Sequence, residues 1–555
     1  MFEYRLKVGI LLDSFILPAW AYASLERVVN LDCANVSVII LNDKEDSLKY
    51  KPDLFYKNIQ NLAYRLLSKI DKAIFQRGPD AFVSKDAREL FINVPVIRVK
   101  PGSAGQIGFF DPADIVEIKS YQLDILIQMG FEALIGEILT AARFGVWTYD
   151  SGTRSDPPGF WEVAHYNPET SWALFVLNNT STHRKTLYRS WVQTYPYSPA
   201  RNRNRAFWIF SSFLPRQVEL LYRLGEKDFF AEIKKYNLEL DYSYHSQDSP
   251  PSNFLVLRIY IKLLFRFIHE IIQRALYLEH WHLLYDVNSS FLPSNFSNFK
   301  EINPPKDQFW ADPHIISDDS KHYIFVEEYI YKERKGQISV IEMEQNGAYR
   351  ESVQVLSKEH HLSYPFVFEW NDKYYMVPET SINRTVELYE CTRFPHEWKF
   401  RMNLMENVNA VDTTLFYDQE KWWLFTGITE NEGAFPLVEL FLFYSKELFS
   451  KDWYSHPLNP IISDVKKNRP AGKLFRKNGK IYRPSQDNSK RYGWGFDINE
   501  ILILSETSYL EESAVKIRPD WNEKIEGVHT FSQSGSLTVI DAGEKTRKYF
   551  SDFHN

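Results

Sequence analysis

In the C-terminal half of the chain, short runs of aromatic and β-branched residues alternate with polar turns, a pattern that predicts β-strands joined by tight turns. Five strand cores have this composition, at residues 323–326, 374–377, 422–425, 481–484 and 537–540. A polar or glycine-containing turn comes directly before each of the first four. The recurrence predicts one structural unit that is repeated five times.

A second motif lies ahead of each strand core, at Asp312, Tyr364, Asp412, Arg469 and His529. Successive motif positions are 52, 48, 57 and 60 residues apart, which leaves room for four short strands in each unit. Five such units predict a five-bladed β-propeller over residues 280–555.

The innermost strand of each propeller blade lines the central channel, so residues at equivalent positions are expected to meet there. The five motif residues would then surround one axial pocket with an aromatic rim that includes Trp310. Carboxylates, a guanidinium and an imidazole suit a polyhydroxylated ligand that is phosphorylated or otherwise charged.

Residues 1–240 have a different pattern, in which apolar β-branched runs at 6–12, 36–41, 94–99 and 124–129 alternate with helical segments. Strands and helices in alternation predict an α/β domain with a mostly parallel sheet. In this domain, residues 198–205 carry three arginines and are expected to form a basic, solvated loop.

Residues 241–279 connect the two domains. A polar stretch with a Pro-Pro pair precedes a segment, 254–278, that predicts one long helix. Its charged residues form one narrow, mainly basic stripe, made of Arg258, Lys262, Arg266, Glu270 and Arg274. Either the helix is wedged between the domains and buries most of its surface, or it lies on an anionic membrane face. The position between the domains is favoured.

The composition of the chain disfavours several classes of function. The net charge is −7 with no basic stripe that dominates the chain, which disfavours nucleic acid as a partner. Cys33 and Cys391 imply neither a disulfide framework nor a cysteine metal site, and no other metal site is expected. With no signal-peptide layout and no long apolar run, a cytoplasmic location is expected, with the helix as a candidate contact to the inner membrane face.

Residues 124–178 run from an apolar strand and a helix into Phe144-Gly-Val-Trp-Thr-Tyr-Asp-Ser-Gly. This segment resembles the folate-dependent formyltransferases, and the resemblance extends over residues 1–215. It implies a Rossmann-type domain in which the catalytic Asn and His positions hold Thr148 and Asp150. Thr is a poorer oxyanion donor than the rigid amide of that family's Asn, and Asp cannot reproduce the donor role of its imidazole. A scaffold or binding role is therefore favoured over folate as a cofactor.

The Ala-Asp-Pro around Asp312 and the segment around Asp412 are similar to the family-43 glycoside hydrolases. The resemblance implies that Asp312 is the base and Asp412 tunes the acid. The family's acid is a fourth-blade glutamate, where this chain has Arg469-Pro-Ala-Gly. Glu379, Glu327 and Glu328 are candidate substitutes, of which Glu379 is selected as a catalytic residue.

A further resemblance covers most of residues 280–545 and rests on His361-Leu-Ser-Tyr-Pro, Val411-Asp-Thr-Thr, Arg469-Pro-Ala-Gly and Tyr482-Arg-Pro-Ser-Gln-Asp. These motifs resemble the N-terminal propeller domain of glucosamine inositolphosphorylceramide transferases and their bacterial relatives. The resemblance implies glycan or glycolipid assembly. The candidate substrate-binding residues are Trp310, Tyr364, Arg469, Arg483, Gln486, Asp487 and His529.

Three functions stay open on these observations. The first is a transferase that acts on a sugar in bacterial-type cell-surface glycan or glycolipid synthesis, transferring a glycosyl or an acyl or formyl group, with a nucleotide sugar as a candidate donor. The second is a glycoside hydrolase of the five-bladed type. The third is a glycan-binding assembly protein without catalysis.

Overall fold

The computed structural model describes residues 4–43, 62–100, 109–131, 134–150, 158–177, 185–237, 251–287 and 296–548. The chain divides into two compact units. The first contains Met1–Phe265 and Asn431–Phe435, and the second contains Arg266–Glu430 and Pro436–Asn555.

The first unit is built on a sheet of seven strands in the described residues, in the order β5-β3-β1-β6-β7-β8-β9. Pairing is parallel from β5 to β7 and antiparallel from β7 to β9. The strands are β1 (Leu6–Leu12), β2 (Ile16–Pro18), β3 (Ala34–Asn42), β4 (Ser84–Asp86), β5 (Val96–Val99), β6 (Ile125–Gln128), β7 (Val146–Asp150), β8 (Glu169–Leu177) and β9 (Lys185–Gln193), with β2 and β4 forming a separate pair. The predicted α/β domain with a mostly parallel sheet is confirmed.

Helices cover this sheet because the central strands are apolar on both faces. They are α1 (Ala19–Val29), α2 (Leu62–Phe75), α3 (Pro112–Ser120), α4 (Phe160–His165), α5 (Pro199–Phe210), α6 (Phe213–Asn237) and α7 (Asn253–Leu276), of which α7 continues into the second unit. The expected basic loop at 198–205 is wrong. Ser198 caps α5 by accepting a hydrogen bond from the Arg201 N–H at 3.0 Å, and Asn202 and Asn204 are buried inside the unit.

Helix α7 matches the predicted helix in position but not in burial. Its buried residues are Val256, Ile259 and Leu263, which pack with Tyr64 of α2. The expectation that this helix buries most of its surface is therefore wrong. Among the described helices, none combines the length and the apolar character that crossing a membrane requires.

The second unit is a five-bladed β-propeller, as predicted. Its blades are β12-β13-β14-β15, β16-β17-β18-β19, β20-β21-β22-β23, β24-β26-β27-β28 with β25 at the side, and β11-β10-β30-β29. These strands are β10 (Tyr277–Asp286), β11 (Lys300–Ile302), β12 (Gln308–Ser317), β13 (Lys321–Ile330), β14 (Lys335–Glu344), β15 (Val353–Leu356), β16 (Ser363–Trp370), β17 (Lys373–Glu379), β18 (Thr385–Arg393), β19 (Glu397–Glu406), β20 (Ala410–Asp418), β21 (Lys421–Ile428), β22 (Glu439–Ser445), β23 (Tyr454–Ser455), β24 (Arg469–Pro470), β25 (Phe475–Lys477), β26 (Lys480–Asp487), β27 (Gly495–Leu504), β28 (Tyr509–Ile517), β29 (Phe531–Ser534) and β30 (Leu537–Arg547).

The fifth blade joins both ends of the propeller sequence. Strand β10 pairs with β30 along its whole length, from Tyr277 against Arg547 to Asp286 against Thr538. Strands from the beginning and the end of the repeat therefore share one sheet, which closes the ring of blades through backbone hydrogen bonds.

The propeller core consists of five apolar clusters, each between two neighbouring sheets. Representative pairs, in blade order, are Phe325 with Met376, Phe366 with Leu424, Phe425 with Leu474, Phe496 with Phe531, and Leu283 with Ile324. This packing brings the first strands of successive blades, β12, β16, β20, β24 and β29, into a ring around the axis.

A bulge recurs at the same register in the first three inner strands. Pairing is interrupted after Ala311, Ser363 and Val411, and the next residues, Asp312, Tyr364 and Asp412, have φ of +52°, +42° and +52°. The left-handed region costs a residue other than glycine roughly 1–3 kcal/mol. Backbone strain that is repeated in three blades is typical of a functional site. Each bulge also changes the direction in which the side chains on either side of it point.

Candidate functional site

The propeller brings all five motif residues into one cluster, which Tyr364 joins through its backbone N–H. Arg469 Nε donates to Asp412 Oδ2 at 2.6 Å, and His529 Nε2 lies 3.2 Å from Asp312 Oδ1. The Tyr364 N–H donates to Asp312 Oδ2 at 3.2 Å. Residues that span most of the propeller sequence therefore meet at the inner strands.

Asp312 is the centre of the buried half of this cluster. Its Oδ1 accepts a hydrogen bond from the Thr530 hydroxyl at 2.9 Å in addition to the His529 contact. Asp541 lies on the other side of the imidazole, with its Oδ2 3.0 Å from His529 Nδ1 and 3.1 Å from the Asp312 N–H. The imidazole is thus held between two carboxylates.

This geometry determines the ionisation of Asp312 and His529. Burial acts against ionisation of Asp312, but hydrogen bonds and charge from His529, with a hydrogen bond from Thr530, lower its pKa to about 2. Burial also acts to lower the pKa of His529, and the carboxylates of Asp541 and Asp312 raise it well above its usual value. Asp312, His529 and Asp541 also bring potential metal-ligand atoms within 4.8 Å of one another.

Asp412 and Arg469 form a second pair in the cluster. Asp412 Oδ2 also accepts from Gln486 Nε2 at 3.1 Å, so Gln486 lies where the sequence predicts it, beside the motif residues. The Arg469 side chain keeps 17% of its surface exposed, and its guanidinium lies 5.2 Å from the ring centre of Tyr492, a half-exposed tyrosine. The terminal nitrogens of Arg469 make no hydrogen bond to the described residues, so they are available to an anionic ligand.

Glu379 ends β17 beside this pair. Its Oε2 accepts from the Asp412 N–H at 3.2 Å and its Oε1 accepts from the Ser381 hydroxyl at 3.1 Å. Burial, with the Asp412 carboxylate adding to it, raises the pKa of Glu379 to about 8. Glu379 is partly exposed, unlike Asp312. It is therefore the carboxyl group of the cluster whose pKa lies near neutral pH and whose surface a ligand can reach.

Glu327 occupies in blade one the register that Glu379 occupies in blade two. Glu327 pairs with Ala311, and Glu379 pairs with Ser363. Burial, with the Asp312 carboxylate next, raises the pKa of Glu327 well above its usual value. His361 Nδ1 accepts the Gly336 N–H at 2.9 Å, and His361 Nε2 lies 3.4 Å from Glu327 Oε1.

Trp310 and Tyr364, two of the predicted substrate-binding residues, have side chains that are already used inside the fold. Trp310 is buried, and its Nε1 donates to Glu328 Oε1 at 3.2 Å because the two residues are paired across β12 and β13. The Tyr364 ring is fully buried. Its hydroxyl contacts Thr414 Oγ1 at 2.8 Å and accepts the Gly472 N–H at 2.8 Å, which links three blades.

Arg483 and Asp487 are likewise placed away from the cluster. Arg483 is fully buried and makes a bidentate pair with Glu511, at 2.8 Å from Nε and 2.7 Å from Nη2. Asp487 is buried and ion-paired with Arg518. Side chains alternate between the two faces of a strand, so neither residue shares the face of Gln486 in β26.

The sequence reasoning missed Asp541, Thr530 and Tyr492. The repeat in the sequence could have identified Asp541, because an acidic residue follows the strand core in three blades. These residues are Glu327, Glu379 and Asp541. Tyr492 lies on a loop outside the repeated motifs, and nothing in the repeat would have selected it.

The first unit holds the two residues at the formyltransferase-like positions. Thr148 lies in β7 opposite Gln128 and Phe175, while the Asp150 side chain is outside the described residues. At the carboxyl end of β1, Asp13 Oδ1 accepts from Asn42 Nδ2 at 2.7 Å and from the Phe131 N–H at 3.1 Å. This edge of a doubly wound sheet is where such folds bind ligands, but the described contacts tie Asp13 to the protein itself.

The raised pKa of Glu379 predicts a change of stability with pH. Its usual value is 4.5 and its value in the fold is about 8, so unfolding between these pH values releases a proton. The stabilising contribution is complete below pH 4.5 and is lost as pH rises towards 8, at up to about 1.4 kcal/mol per pH unit. Urea unfolding of the wild type and of Glu379→Gln at pH 5, 6.5 and 8 measures this. The wild type should lose stability relative to the variant as pH rises, and equal slopes would show that Glu379 is ionised in the fold.

Comparisons with known proteins agree with the propeller. The family model described as "Glucosamine inositolphosphorylceramide transferase 1, N-terminal" matches residues 297–536. Glucosamine inositolphosphorylceramide transferase 1 of Oryza sativa subsp. japonica is 33% identical over 224 residues, which are 39% of this chain and 30% of that protein. The chain thus spans less than a third of the length of this curated relative.

Two solved structures are remotely similar to parts of this chain. A thermostable family-43 glycoside hydrolase is 16% identical with a TM-score of 0.33, covering 45% of this chain and 92% of that one. Glycinamide ribonucleotide transformylase 1 from Symbiobacterium toebii is 14% identical with a TM-score of 0.27, covering 40% and 90%. Likenesses this remote carry no argument about activity. The specific similarity is that of residues 297–536 to the N-terminal part of the glucosamine inositolphosphorylceramide transferases.

Proposed function

We propose that this protein is a sugar transferase of glycolipid or cell-surface glycan assembly, and that its reaction takes place at the propeller axis on a phosphate-bearing substrate. The main observation behind this proposal is that Glu379 and Arg469 both contact Asp412 in one cluster. Glu379 has a pKa of about 8, and Arg469 is partly exposed. One residue can exchange a proton near neutral pH, and the other can hold an anion.

Arg469 favours an anionic substrate. Asp412 takes its Nε–H, while the terminal N–H groups have no partner in the described residues. These groups form a fork that matches the geometry of phosphate oxygens. The phosphates of a nucleotide sugar and the phosphodiester of a lipid head group present the same chemistry to this fork.

Glu379 supplies the proton transfer. In its ionised form it accepts the proton of an acceptor hydroxyl as that oxygen bonds to the anomeric carbon of the donor. The bond between that carbon and the donor phosphate oxygen breaks, and its electron pair leaves with the phosphate beside Arg469. A base with a pKa near the working pH is well suited to this step.

In this proposal Asp312 is not the base that the glycosidase resemblance implies. Its carboxylate is buried and accepts hydrogen bonds on both oxygens. With His529 and Asp541 it forms a buried charged network that positions the inner strands and acts on Glu379 through its field. Asp312 is therefore a positioning residue in this proposal.

A glycoside hydrolase is the second candidate, and one observation favours it. The acid that the fourth blade lacks is available from the second blade, because Glu379 carries a proton at neutral pH. As a general acid it would give that proton to the oxygen of a glycosidic bond as the bond breaks, while water attacks the anomeric carbon and releases one proton to solvent.

A turnover assay separates the two. The full chain is incubated with radiolabelled nucleotide sugars and a phosphate-bearing lipid acceptor, and separately with aryl glycosides. We expect label in the lipid and no release of the aryl group. Arg469→Met should raise KM for the nucleotide sugar by at least about 10-fold, since a charged hydrogen bond contributes about 1.5–3 kcal/mol.

Arg401→Met is the matched control. Arg401 lies on the outermost strand of blade two, pairs with Glu390 at 3.7 Å and is half exposed, so its loss should leave the kinetics unchanged. Release of the aryl group without use of nucleotide sugar would support the hydrolase. No turnover of either class would overturn both enzyme proposals in favour of a binding protein.

A further inference from the structure

Helix α7 has two apolar faces in the first unit, and only one of them is covered. Val256, Ile259 and Leu263 face the protein. On the opposite side, Phe254, Leu257, Ile261, Leu264 and Phe265 are 78%, 49%, 46%, 56% and 68% exposed. Apolar residues at this spacing form one continuous stripe along a helix, so α7 presents an apolar stripe to solvent.

Helix α2 presents a second stripe. Leu62, Leu66, Ile70 and Ile74 recur every fourth residue and are 67%, 60%, 47% and 59% exposed. The helix turns its buried residues, Tyr64 and Asp71, to the other side.

The two helices are neighbours. Tyr64 of α2 shares a core cluster with Val256, Ile259 and Leu263 of α7, and the Ala63 N–H donates to Asn253 Oδ1 at 3.0 Å. The exposed stripes thus lie on two helices held together by one core. Apolar surface of this extent marks an interaction site in a water-soluble fold.

Basic residues border both stripes. Arg65 and Lys69 on α2 and Arg258 and Lys262 on α7 are exposed, and none makes an ion pair within the described ranges. Neither helix has an acidic residue in its first turn, and the acidic residue of α2, Asp71, is buried against the Ala200 N–H. The surface therefore combines exposed apolar side chains with uncompensated positive charge.

We propose that this surface, formed by α2 and the first half of α7, docks on an anionic membrane. The apolar side chains would enter the boundary between head groups and acyl chains, and the four basic residues would meet anionic head groups. A second copy of the chain is a poorer occupant, because two such faces would bring eight uncompensated cations together. The surface lies in the first unit and is independent of the proposed reaction at the axis.

Vesicle flotation of the full chain tests this. We expect co-flotation with vesicles of phosphatidylcholine and phosphatidylglycerol, weaker binding to phosphatidylcholine alone, and loss at high salt. Changing Arg65, Lys69, Arg258 and Lys262 together to Gln should weaken binding to the anionic vesicles by ~100-fold or more, since each basic residue near such a surface contributes a factor of about 5. The matched control changes four exposed lysines elsewhere, Lys227, Lys306, Lys446 and Lys516, to Gln and should bind as the wild type does.

A second variant tests the apolar stripes. Leu66→Gln with Leu257→Gln and Ile261→Gln changes exposed positions, so folding should be kept, and flotation with either vesicle should fall. Wild-type protein that stays unbound, or basic-residue variants that bind unchanged, would overturn the proposal. Light scattering that shows a wild-type dimer and a monomeric stripe variant would assign the surface to self-association instead. Glu379→Gln should float normally, which keeps this test separate from the catalytic one.

Discussion

Glu379→Gln is expected to lower turnover of the sugar substrate by about 10²–10⁴-fold, the usual contribution of a positioned proton-transfer group. Gln keeps the shape of the side chain. Its single amide oxygen can still accept the hydrogen bond from the Asp412 N–H, while its NH2 group can donate to the Ser381 hydroxyl oxygen. It cannot exchange a proton. The loss should therefore be in kcat, with KM for the substrate little changed.

The pH dependence of activity shows whether Glu379 acts as a base or as an acid. With a pKa of about 8, a base becomes active as it ionises, so transferase activity should rise with pH and level off above about 8. An acid is active while protonated, so hydrolase activity should fall above about 8. In either case Glu379→Gln removes the inflection.

The control for this variant is Glu390→Gln, in the same blade. Glu390 is half-buried and ion-paired with Lys373 on the outer part of the sheet. Its loss should leave both kcat and the pH profile as they are. If Glu379→Gln kept wild-type kcat, the proton transfer would have to be assigned to another group of the cluster.

Arg483→Met is expected to destabilise the propeller by about 3–5 kcal/mol, because it leaves the buried carboxylate of Glu511 without its partner. Arg483 has none of its surface exposed and donates to both Glu511 oxygens. Chemical denaturation followed by tryptophan fluorescence measures the loss.

A double variant shows that the loss comes from the stranded charge. Arg483→Met with Glu511→Gln removes both charges and keeps an acceptor for the Tyr509 hydroxyl, so most of the stability should return. Arg491→Met is the matched surface control. Its pair with Glu526 is about one third exposed, and such pairs contribute less than about 1 kcal/mol. A small effect of Arg483→Met would mean that water reaches Glu511.

The propeller was predictable because its signal is local and repeated. Each blade has the same order of motif, turn and strand core, and each core needs only its own composition to form a strand. All five predicted cores lie in strands, in β13, β17, β21, β26 and β30. The α/β unit was predictable for the same reason, from apolar runs that alternate with helices.

The individual site residues were less predictable. Trp310, Arg483 and Asp487 have the right chemistry, but a strand has two faces and a one-residue offset reverses them. Asp312 and Glu327 lie on the face of the axial cluster, while Trp310 and Glu328 pair on the other face. Which face points to the axis depends on the bulges at Asp312, Tyr364 and Asp412, which the composition does not show.

By itself, the sequence determined the fold class, the five-fold repeat and the set of motif residues, because strand-forming and turn-forming preferences act over a few neighbours. Only the tertiary structure decided the closing of the fifth blade by β10, the burial of Asp312 between His529, Thr530 and Tyr364, and the protonation of Glu379 beside Asp412. These depend on charges and burial contributed by residues far apart in the chain. The same holds for the apolar stripes of α2 and α7, since only the packing of their other faces shows which side remains in solvent.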